Sequence, residues 1–178
     1  MTTKIDLEQK ILNSVEEAIR AAEKLREPIA IQFIENASRM IAACYKNEGK
    51  ILVAGNGGSL CDAMHFCEEL TGLYRKKRPA LAAIALSDPG HMSCVGNDLG
   101  YDFVFSRGVE ALGKKGDVLV LLTTSGNSMN LVQAVEAARE KGLQIITFLG
   151  KTGGKLKGLA DLEWIVDGFT YSDRVQEV

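Results

Sequence analysis

The period of the hydrophobic pattern changes near Lys50. Ahead of it, apolar residues recur every three or four positions, the spacing that lines them along one face of an amphipathic helix. These stripes predict a helix over residues 4–26, and a second helix that begins near Pro28 and ends at Asn47-Glu48-Gly49. Such a pair of helices either covers a sheet or packs against another subunit.

After Lys50, short and nearly continuous apolar runs alternate with helical patterns. A continuous apolar run is typical of a strand buried on both faces, as in a parallel sheet. The alternation therefore predicts an α/β fold: a five-stranded parallel sheet with helices on both faces, in a three-layer arrangement of the Rossmann or flavodoxin kind. We expect one domain over 1–178, with 1–47 as an N-terminal helical pair. The predicted strands are 51–54, 81–86, 118–123, 144–149 and 162–166, and the helices between them are 59–73, 102–113 and 128–141.

Composition and charge exclude several classes of protein. With 46% hydrophobic and 25% charged residues, the chain has the composition of a soluble globular protein. Its net charge of −2 gives no positive field for nucleic acid, and no apolar run reaches the roughly 20 residues that span a bilayer. Four cysteines without Cys-x-x-Cys spacing favour a reduced, cytoplasmic protein. The basic run Arg75-Lys76-Lys77-Arg78 is either a solvated loop or a contact for an anion.

Two strands end in similar turns of small polar residues. The first turn is Gly55-Asn56-Gly57-Gly58-Ser59 and the second is Thr123-Thr124-Ser125-Gly126-Asn127-Ser128. Each leads into a helix, whose first N–H groups and dipole favour an anion. Ser59 is the predicted N-cap of its helix, in a capping box with Asp62, and Ser128 is a predicted N-cap as well. The first turn is equally well explained as a tight turn with a cap, whereas the second has more hydroxyls than a cap needs, which favours a phosphorylated ligand.

A histidine and a carboxylate lie four residues apart on the helix that follows the first turn. His65 and Glu69 therefore share one helix face. Such a pair can bind zinc, act as an acid and base, or form an ordinary surface contact. Two ligands do not complete a metal site, so further ligands would come from elsewhere in the fold or from another chain.

The segment 87–100 is rich in Ser, Asp, Gly and Asn, and it follows a predicted strand. We predict a loop here. Loops at the carboxyl ends of parallel strands are where ligands bind in this class of fold, and this loop contains His91, Asn97 and Asp98. A solvated loop without a ligand is the alternative.

Several motifs together resemble the phosphoheptose isomerase family, whose members have the sugar isomerase (SIS) fold. The His65–Glu69 block is specific for that family, whereas the Ser/Gly turns are shared with other SIS domains. The resemblance covers essentially the whole chain. It rests on Gly55-Asn56-Gly57-Gly58-Ser59, Cys61-Asp62-Ala63-Met64-His65-Phe66, Glu68-Glu69-Leu70-Thr71-Gly72, Cys94-Val95-Gly96-Asn97-Asp98, Thr124-Ser125-Gly126-Asn127-Ser128 and Asp173-Arg174-Val175-Gln176-Glu177.

The resemblance implies a homotetrameric isomerase that converts sedoheptulose 7-phosphate to D-glycero-D-manno-heptose 7-phosphate, the first step of ADP-heptose synthesis for the lipopolysaccharide core. It implies one zinc ion per subunit, held by His65, Glu69 and Gln176, with Glu69 also the catalytic base. The substrate-binding residues that it implies are Asn56, Gly57, Gly58, Ser59, Glu69, Asn97, Asp98, Thr123, Thr124, Ser125, Ser128 and Gln176.

The chain also departs from the family. After Gln176 the family continues as a long helix with a further histidine that binds metal, and this position would fall beyond Val178. The resemblance therefore predicts that the C-terminal helix is truncated here. Leu60 and Leu73 stand where relatives often have histidine and arginine.

A second function is compatible with the fold. The alternative is a non-catalytic SIS-domain sensor of phosphosugars, or a regulatory protein that binds a replication initiator. Such relatives keep the Ser/Gly turns and resemble this chain less around His65. The presence of both His65 and Glu69 favours the enzyme, because the site and not the fold determines function.

Overall fold

A computed structural model describes residues 4–176 of the chain, with side chains from Leu7 onward. Two helices, α1 (Lys4–Glu23) and α2 (Pro28–Lys46), precede the sheet, as the sequence predicts. A 3₁₀ turn at Lys24–Arg26 separates them. Proline begins α2 because its fixed φ and its missing N–H suit the first helical position.

After α2 the chain alternates between strands and helices, with two helices in succession between the second and third strands. All five strands are parallel, in the order β2-β1-β3-β4-β5. This is the flavodoxin-like order, so the predicted α/β fold is confirmed. The elements are β1 (Ile51–Gly55), α3 (Gly58–Thr71), β2 (Ala83–Ala85), α4 (Pro89–Asp98), α5 (Val104–Leu112), β3 (Val118–Thr123), α6 (Met129–Lys141), β4 (Gln144–Gly150), β5 (Leu162–Val166) and α7 (Ser172–Gln176).

Separate apolar clusters cover the two faces of the sheet. Successive side chains of a strand point to opposite faces, so each strand contributes to both clusters. Leu52 and Leu119 pack against α4, α5 and α6 on one face. Val53 and Val120, which are paired in register, pack against α2 and α3 on the other. The predicted layers of helix, sheet and helix are therefore present.

The prediction of a loop over 87–100 is wrong, because residues 89–98 form the helix α4. Asp88 is its N-cap, and its Oδ1 accepts a hydrogen bond of 2.7 Å from the backbone N–H of His91. The glycine, serine and asparagine content of this segment gives a low helix propensity. The N-cap and the proline after it nevertheless start a helix, which packs through Val95 against the apolar cluster of this face.

A buried ion pair fixes the amino-terminal edge of the sheet. Asp117 is 3% exposed, and its carboxylate accepts hydrogen bonds of 2.9 Å from the backbone N–H groups of Lys50 and Lys114. The Lys50 ammonium group also donates to it. Burial raises the pKa of Asp117, but these hydrogen bonds outweigh burial and the resulting pKa lies below its usual value. This edge lies opposite the carboxyl ends of the strands.

Helix α1 leaves an apolar stripe exposed. Its large apolar side chains at every fourth position are between 50% and 60% exposed, and they are Leu7, Ile11, Val15 and Ile19. On the other side, Arg174 of α7 donates to the Ser14 hydroxyl and lies 3.7 Å from the Glu17 carboxylate. One face of α1 therefore has no partner within the described chain. No helix over the described residues is both long and apolar enough to cross a bilayer.

The strand order places a ligand crevice at one point of the sheet. From β1 the chain moves outward to β2, and then returns to the other side of β1 to form β3. The loops after β1 and β3 consequently diverge to opposite faces and leave a crevice between them at the carboxyl edge. Both predicted ligand turns begin at this crevice.

Candidate active site

The first ligand turn lies between β1 and α3. Gly57 has a φ of +57° and is the N-cap residue of α3, a conformation that glycine adopts without steric cost. Ser59 is not the N-cap, because the helix already begins at Gly58 and encloses Ser59 in its first turn. The predicted capping box of Ser59 and Asp62 is therefore wrong.

Ser59 and Asp62 hold the amide of Gln176 instead. The Ser59 hydroxyl donates to Oε1 of Gln176 at 2.8 Å, and Nε2 of Gln176 donates to Asp62. Gly58 lies beside the same amide, since a Cβ at this position would be 3.5 Å from Oε1. Gln176 thus lies against the first turn of α3, next to residues that the family resemblance assigns to the substrate.

The second ligand turn connects β3 to α6. Ser128 is the N-cap residue of α6, as predicted, although its side chain makes no capping hydrogen bond. The Thr123 hydroxyl accepts a hydrogen bond of 3.2 Å from the N–H of Gly126, and the Ser125 hydroxyl accepts one of 3.3 Å from the N–H of Asn127. Each of these hydroxyls keeps its own proton available, so both can still donate to a phosphate oxygen.

The backbone of the turn after β4 packs against this second ligand turn. Gly126 has a φ of +66°, and a Cβ on it would overlap the carbonyl group of Gly153. The Leu156 N–H donates to the carbonyl oxygen of Gly126 at 3.0 Å. Backbone therefore packs directly on backbone, and this contact fixes the position of the hydroxyl-rich turn.

A cavity of about 270 Å³ connects the two turns. Its polar lining comes from the first turn of α3, the end of β3 and α7, and consists of Ser59, Asp62, Thr123, Thr124 and Gln176. Its apolar lining lies on the sheet and on α3, and includes Phe66, Phe148 and Trp164. Predicted site residues from three distant parts of the sequence thus come together here.

His65 and Glu69 lie one turn apart on α3. The distance from Nε2 of His65 to the Glu69 carboxylate is 3.3 Å, which confirms the predicted common helix face. Glu68 lies 3.7 Å from the same ring nitrogen. The ligand atoms of the three side chains all lie within 4.8 Å of one another.

Comparison with known proteins bears directly on this arrangement. A family model described as "SIS domain" matches residues 13–150. The phosphoheptose isomerase of Vibrio vulnificus is 57% identical over 169 residues, which cover 94% of this chain and 88% of that relative. That of Aeromonas hydrophila is 60% identical over 145 residues, 82% of this chain and 76% of the relative. A solved phosphoheptose isomerase from Neisseria gonorrhoeae superimposes with a TM-score of 0.86 at 39% identity, over 96% of this chain and 91% of that one. The chain belongs to the phosphoheptose isomerase family.

The donors on α3 fit a zinc ion. An imidazole nitrogen and carboxylate oxygens are ordinary zinc ligands, and the His65, Glu68 and Glu69 atoms are close enough to share one ion. The His65 side chain is 70% exposed. The amide of Gln176, which the family resemblance assigns to the metal, bonds to Ser59 and Asp62 rather than to His65 or Glu69.

A second cavity, of about 580 Å³, opens beside the His65–Glu69 pair. Arg78 forms part of its wall and binds the end of α3. Its guanidinium group donates to the carbonyl oxygens of Glu69 at 2.5 Å and of Leu70 at 2.9 Å. The basic run is therefore more than a solvated loop, since its last residue caps the helix that carries His65 and Glu69. The first of its residues, Arg75, lies over the Tyr74 ring at 4.9 Å.

Asn97 and Asp98 lie in the last turn of α4, and they hydrogen-bond to each other at 2.7 Å. Within the described chain, neither residue lines the two cavities beside α3. His91 joins α4 to α5, with its Nε2 at 2.9 Å from the carbonyl oxygen of Val104. Just after α4, the Tyr101 hydroxyl donates to Asn56 of the first ligand turn at 3.2 Å.

Several residues of this site are not among those that the sequence predicts. Glu68 is three positions after His65, so the helical spacing contained the signal for it. In the sequence, Arg78 stands out only as part of a charged run. Asn130 pairs with Asn56 across the crevice, and no motif marks it, because the contact joins residues 74 positions apart.

Proposed function

We propose that this protein is an aldose–ketose isomerase that converts sedoheptulose 7-phosphate to D-glycero-D-manno-heptose 7-phosphate. The observation that carries the proposal is the His65–Glu69 pair on α3, at 3.3 Å. The pair lines one cavity, and that cavity shares Asp62 and Phe66 with the cavity lined by both ligand turns. Membership of the phosphoheptose isomerase family supports it. In that role the protein would act in the first step of ADP-heptose synthesis.

The reaction needs one base that moves a proton between adjacent carbons. Glu69 takes a proton from C1 of the ketose, and the electron pair of that C–H bond forms the C1–C2 double bond of an enediol. The carbonyl oxygen at C2 gains a proton as this bond forms. Glu69 then delivers its proton to C2, and the C1 hydroxyl loses its proton to give the aldehyde. Atoms and charges balance, because Glu69 returns to C2 the proton that it takes from C1, and the proton that the C2 oxygen gains is matched by the one that the C1 hydroxyl loses.

Zinc is the metal that we propose for this site. His65 and Glu69 would hold it, with Gln176 as the further ligand that the family resemblance implies and Glu68 as an additional donor within reach. When bound, the ion would supply positive charge to the oxygen that becomes negative during the reaction. Its donors all come from α3 except Gln176, which lies against the first turn of that helix.

The hydroxyl-rich turn would bind the phosphate. Thr123, Thr124, Ser125 and Ser128 supply neutral donors at the N-terminus of α6, where the helix dipole favours an anion. Asn56, Gly57 and Gly58 approach from the opposite side of the crevice. We propose Asn97 and Asp98 as contacts for the sugar, which in this structure lie on the adjacent helix α4.

We propose a homotetramer in the cytoplasm. The unpaired apolar stripe of α1, whose residues are at least 50% exposed, is the surface that supports an assembly of subunits. All four cysteines are free, which supports a reducing compartment. Burial raises the pKa of the Cys67 thiol to about 11, so it remains protonated at neutral pH.

The direct test is to incubate the purified protein with sedoheptulose 7-phosphate, with and without zinc, and to follow formation of the heptose 7-phosphate. Glu69→Gln should leave the fold intact and lower turnover by about a thousandfold, the contribution of a general base. Glu136→Gln is the control, because it removes an exposed carboxylate on α6 that lines neither cavity, and we expect it to retain most of the activity. Near-normal turnover by Glu69→Gln would rule out this residue as the base.

The regulatory alternative predicts a different result. A zinc-loaded protein without turnover that binds sugar phosphate or a protein partner tightly would favour a sensor over an enzyme. Isothermal titration with sedoheptulose 7-phosphate separates the two functions, because it detects binding whether or not turnover follows.

A further inference from the structure

Asn130 is a buried polar residue in the first turn of α6. It is 2% exposed, and its neighbour Leu131 is fully buried in the apolar cluster. A buried amide without hydrogen-bond partners would be costly. Asn130 finds its partner outside α6, in the first ligand turn, so this residue spans the crevice between the two turns.

Asn130 and Asn56 exchange a pair of hydrogen bonds through their side-chain amides. Nδ2 of Asn56 donates to Oδ1 of Asn130 at 3.0 Å, and Nδ2 of Asn130 donates to Oδ1 of Asn56 at 2.8 Å. Such a reciprocal pair is satisfied in only one relative orientation of the two amides. Rotating either amide by half a turn would place oxygen against oxygen and nitrogen against nitrogen.

Tyr101 completes the coordination of the Asn56 amide. Its hydroxyl donates to Oδ1 of Asn56 at 3.2 Å. An amide oxygen accepts two hydrogen bonds and an amide nitrogen donates two. The oxygen of Asn56 is therefore fully used, and one N–H of its nitrogen remains. Asn56 can offer a ligand a single donor and no acceptor.

We propose that Asn130 is a positioning residue that fixes Asn56 as a hydrogen-bond donor to an oxygen of the sugar phosphate. This inference rests on the proposed function, since it takes Asn56 to contact that substrate. The pair also joins the turn after β1 to the helix after β3, so the two walls of the crevice keep one spacing. Without Asn130, the Asn56 amide can turn its Oδ1 towards the ligand. Two hydrogen-bond acceptors, Oδ1 and an oxygen of the sugar phosphate, would then face each other.

The decisive measurement is a double-mutant cycle that combines Asn56→Ala with Asn130→Leu. Leucine has nearly the same volume as the asparagine that it replaces at position 130. Asn130→Leu should raise both the KM and the Kd for sedoheptulose 7-phosphate about tenfold, because the substrate loses one hydrogen bond. The kcat should change less than about twofold. In the Asn56→Ala background the same substitution should add little, because it acts through Asn56. Gln133→Leu, on the same helix, is the matched control and should change neither constant.

Other results would overturn the proposal. An unchanged Kd for Asn130→Leu, or effects of Asn56→Ala and Asn130→Leu that simply add, would show a purely structural pair. If Asn130→Leu does not fold, Tyr101→Phe serves instead, because Tyr101 is 55% exposed and its loss leaves the core intact. It should raise the Kd about twofold in the wild-type background and not in Asn56→Ala. Isothermal titration also separates this inference from the proposed function. If the wild-type protein binds sedoheptulose 7-phosphate without turnover, the isomerase function is wrong, but the Kd values of the double-mutant cycle still test the role of Asn130.

Discussion

The Ser59 hydroxyl donates a hydrogen bond of 2.8 Å to Gln176, which lies 117 positions later in the chain. Gln176 is thereby joined to the first turn of α3, where its amide also donates to Asp62. On α7, Gln176 bonds to α3, Val175 is buried, and Arg174 bonds to Ser14 of α1.

Replacing Gln176 with alanine should therefore release α7 from α3. We expect a loss of about 2 kcal/mol in the free energy of unfolding, since two partly buried hydrogen bonds disappear and Asp62 and Ser59 lose their partner. Urea denaturation measures this change. Asp173→Ala, on the same helix and exposed, is the control and should fall within about 0.5 kcal/mol of the wild type. Equal stabilities for the two variants would contradict a structural role of Gln176.

Arg78 should fix the position of Glu69 through its hydrogen bond to the Glu69 backbone. Its guanidinium group donates to the Glu69 and Leu70 carbonyl oxygens at the end of α3. Arg78→Met removes this donor from both, although the Leu70 oxygen keeps its hydrogen bond from the Leu81 N–H. We expect kcat to fall about tenfold, because the last turn of α3 loosens and the base loses its fixed position. KM should change less, since the ligand turns lie elsewhere.

Steady-state kinetics with sedoheptulose 7-phosphate test this prediction. Lys77→Met removes the neighbouring positive charge, and Lys77 is exposed, so this control should behave as the wild type. An equal loss of kcat in both variants would show that kcat depends on the positive charge of residues 75–78 and not on the hydrogen bonds of Arg78 to α3.

The ion pair of Asp117 should make stability depend on acid pH. Because the pKa of Asp117 is lower in the folded chain, its contribution is fully present above the unfolded value of 3.8 and is lost as the pH falls through the folded pKa. Asp117→Asn leaves the Lys50 ammonium group without its partner and should cost about 3 kcal/mol at neutral pH.

The difference in unfolding free energy between Asp117→Asn and the wild type should therefore shrink below pH 3.8. Denaturation at a series of pH values measures it. Asp102→Asn, at an exposed position, is the control and should follow the wild type throughout. A difference that stays constant with pH would mean that the charge of Asp117 does not stabilise the fold.

The apolar stripe of α1 should hold subunits together. Ile11→Glu with Val15→Glu places two charges on this stripe, and we expect the assembly to dissociate, because a buried interface does not accept unpaired charges. Sedimentation velocity gives the mass in solution. Gln9→Glu with Asn13→Glu adds the same charges on another face of α1 and should leave the assembly intact. An unchanged mass for the first variant would place the interface elsewhere.

Much of the fold was predictable because its strands are buried on both faces. β3 appears in the sequence as the continuous apolar run 118–123, and the structure has the same bounds. α4 was missed because Gly90, Gly96 and Asn97 lower the helix propensity, and only the cap at Asp88 and the packing of Val95 outweigh this. Tertiary contacts decided that helix, and they are not visible in local patterns.

The candidate site was predictable where its geometry is local. His65 and Glu69 share a face because four residues make about one turn of helix, which the spacing alone requires. Ser59 was misassigned as a cap because the serine is a good cap by type, while Gly57 turns the chain earlier. The contacts of Gln176 with Ser59 and of Asn130 with Asn56 join distant segments, so no spacing rule could predict them.

The direct backbone contact between Gly126 and Gly153 limits which substitutions can be engineered into this protein. No side chain fits between these two backbones, so any larger residue at position 126 would push the hydroxyl-rich turn away from its support. A library aimed at other phosphorylated sugars should therefore keep both glycines constant. Sequence variation should instead be placed at Leu122, Phe148 and Trp164, which line the cavity from the sheet, because a change of volume there reshapes the cavity without moving the hydroxyl-rich turn.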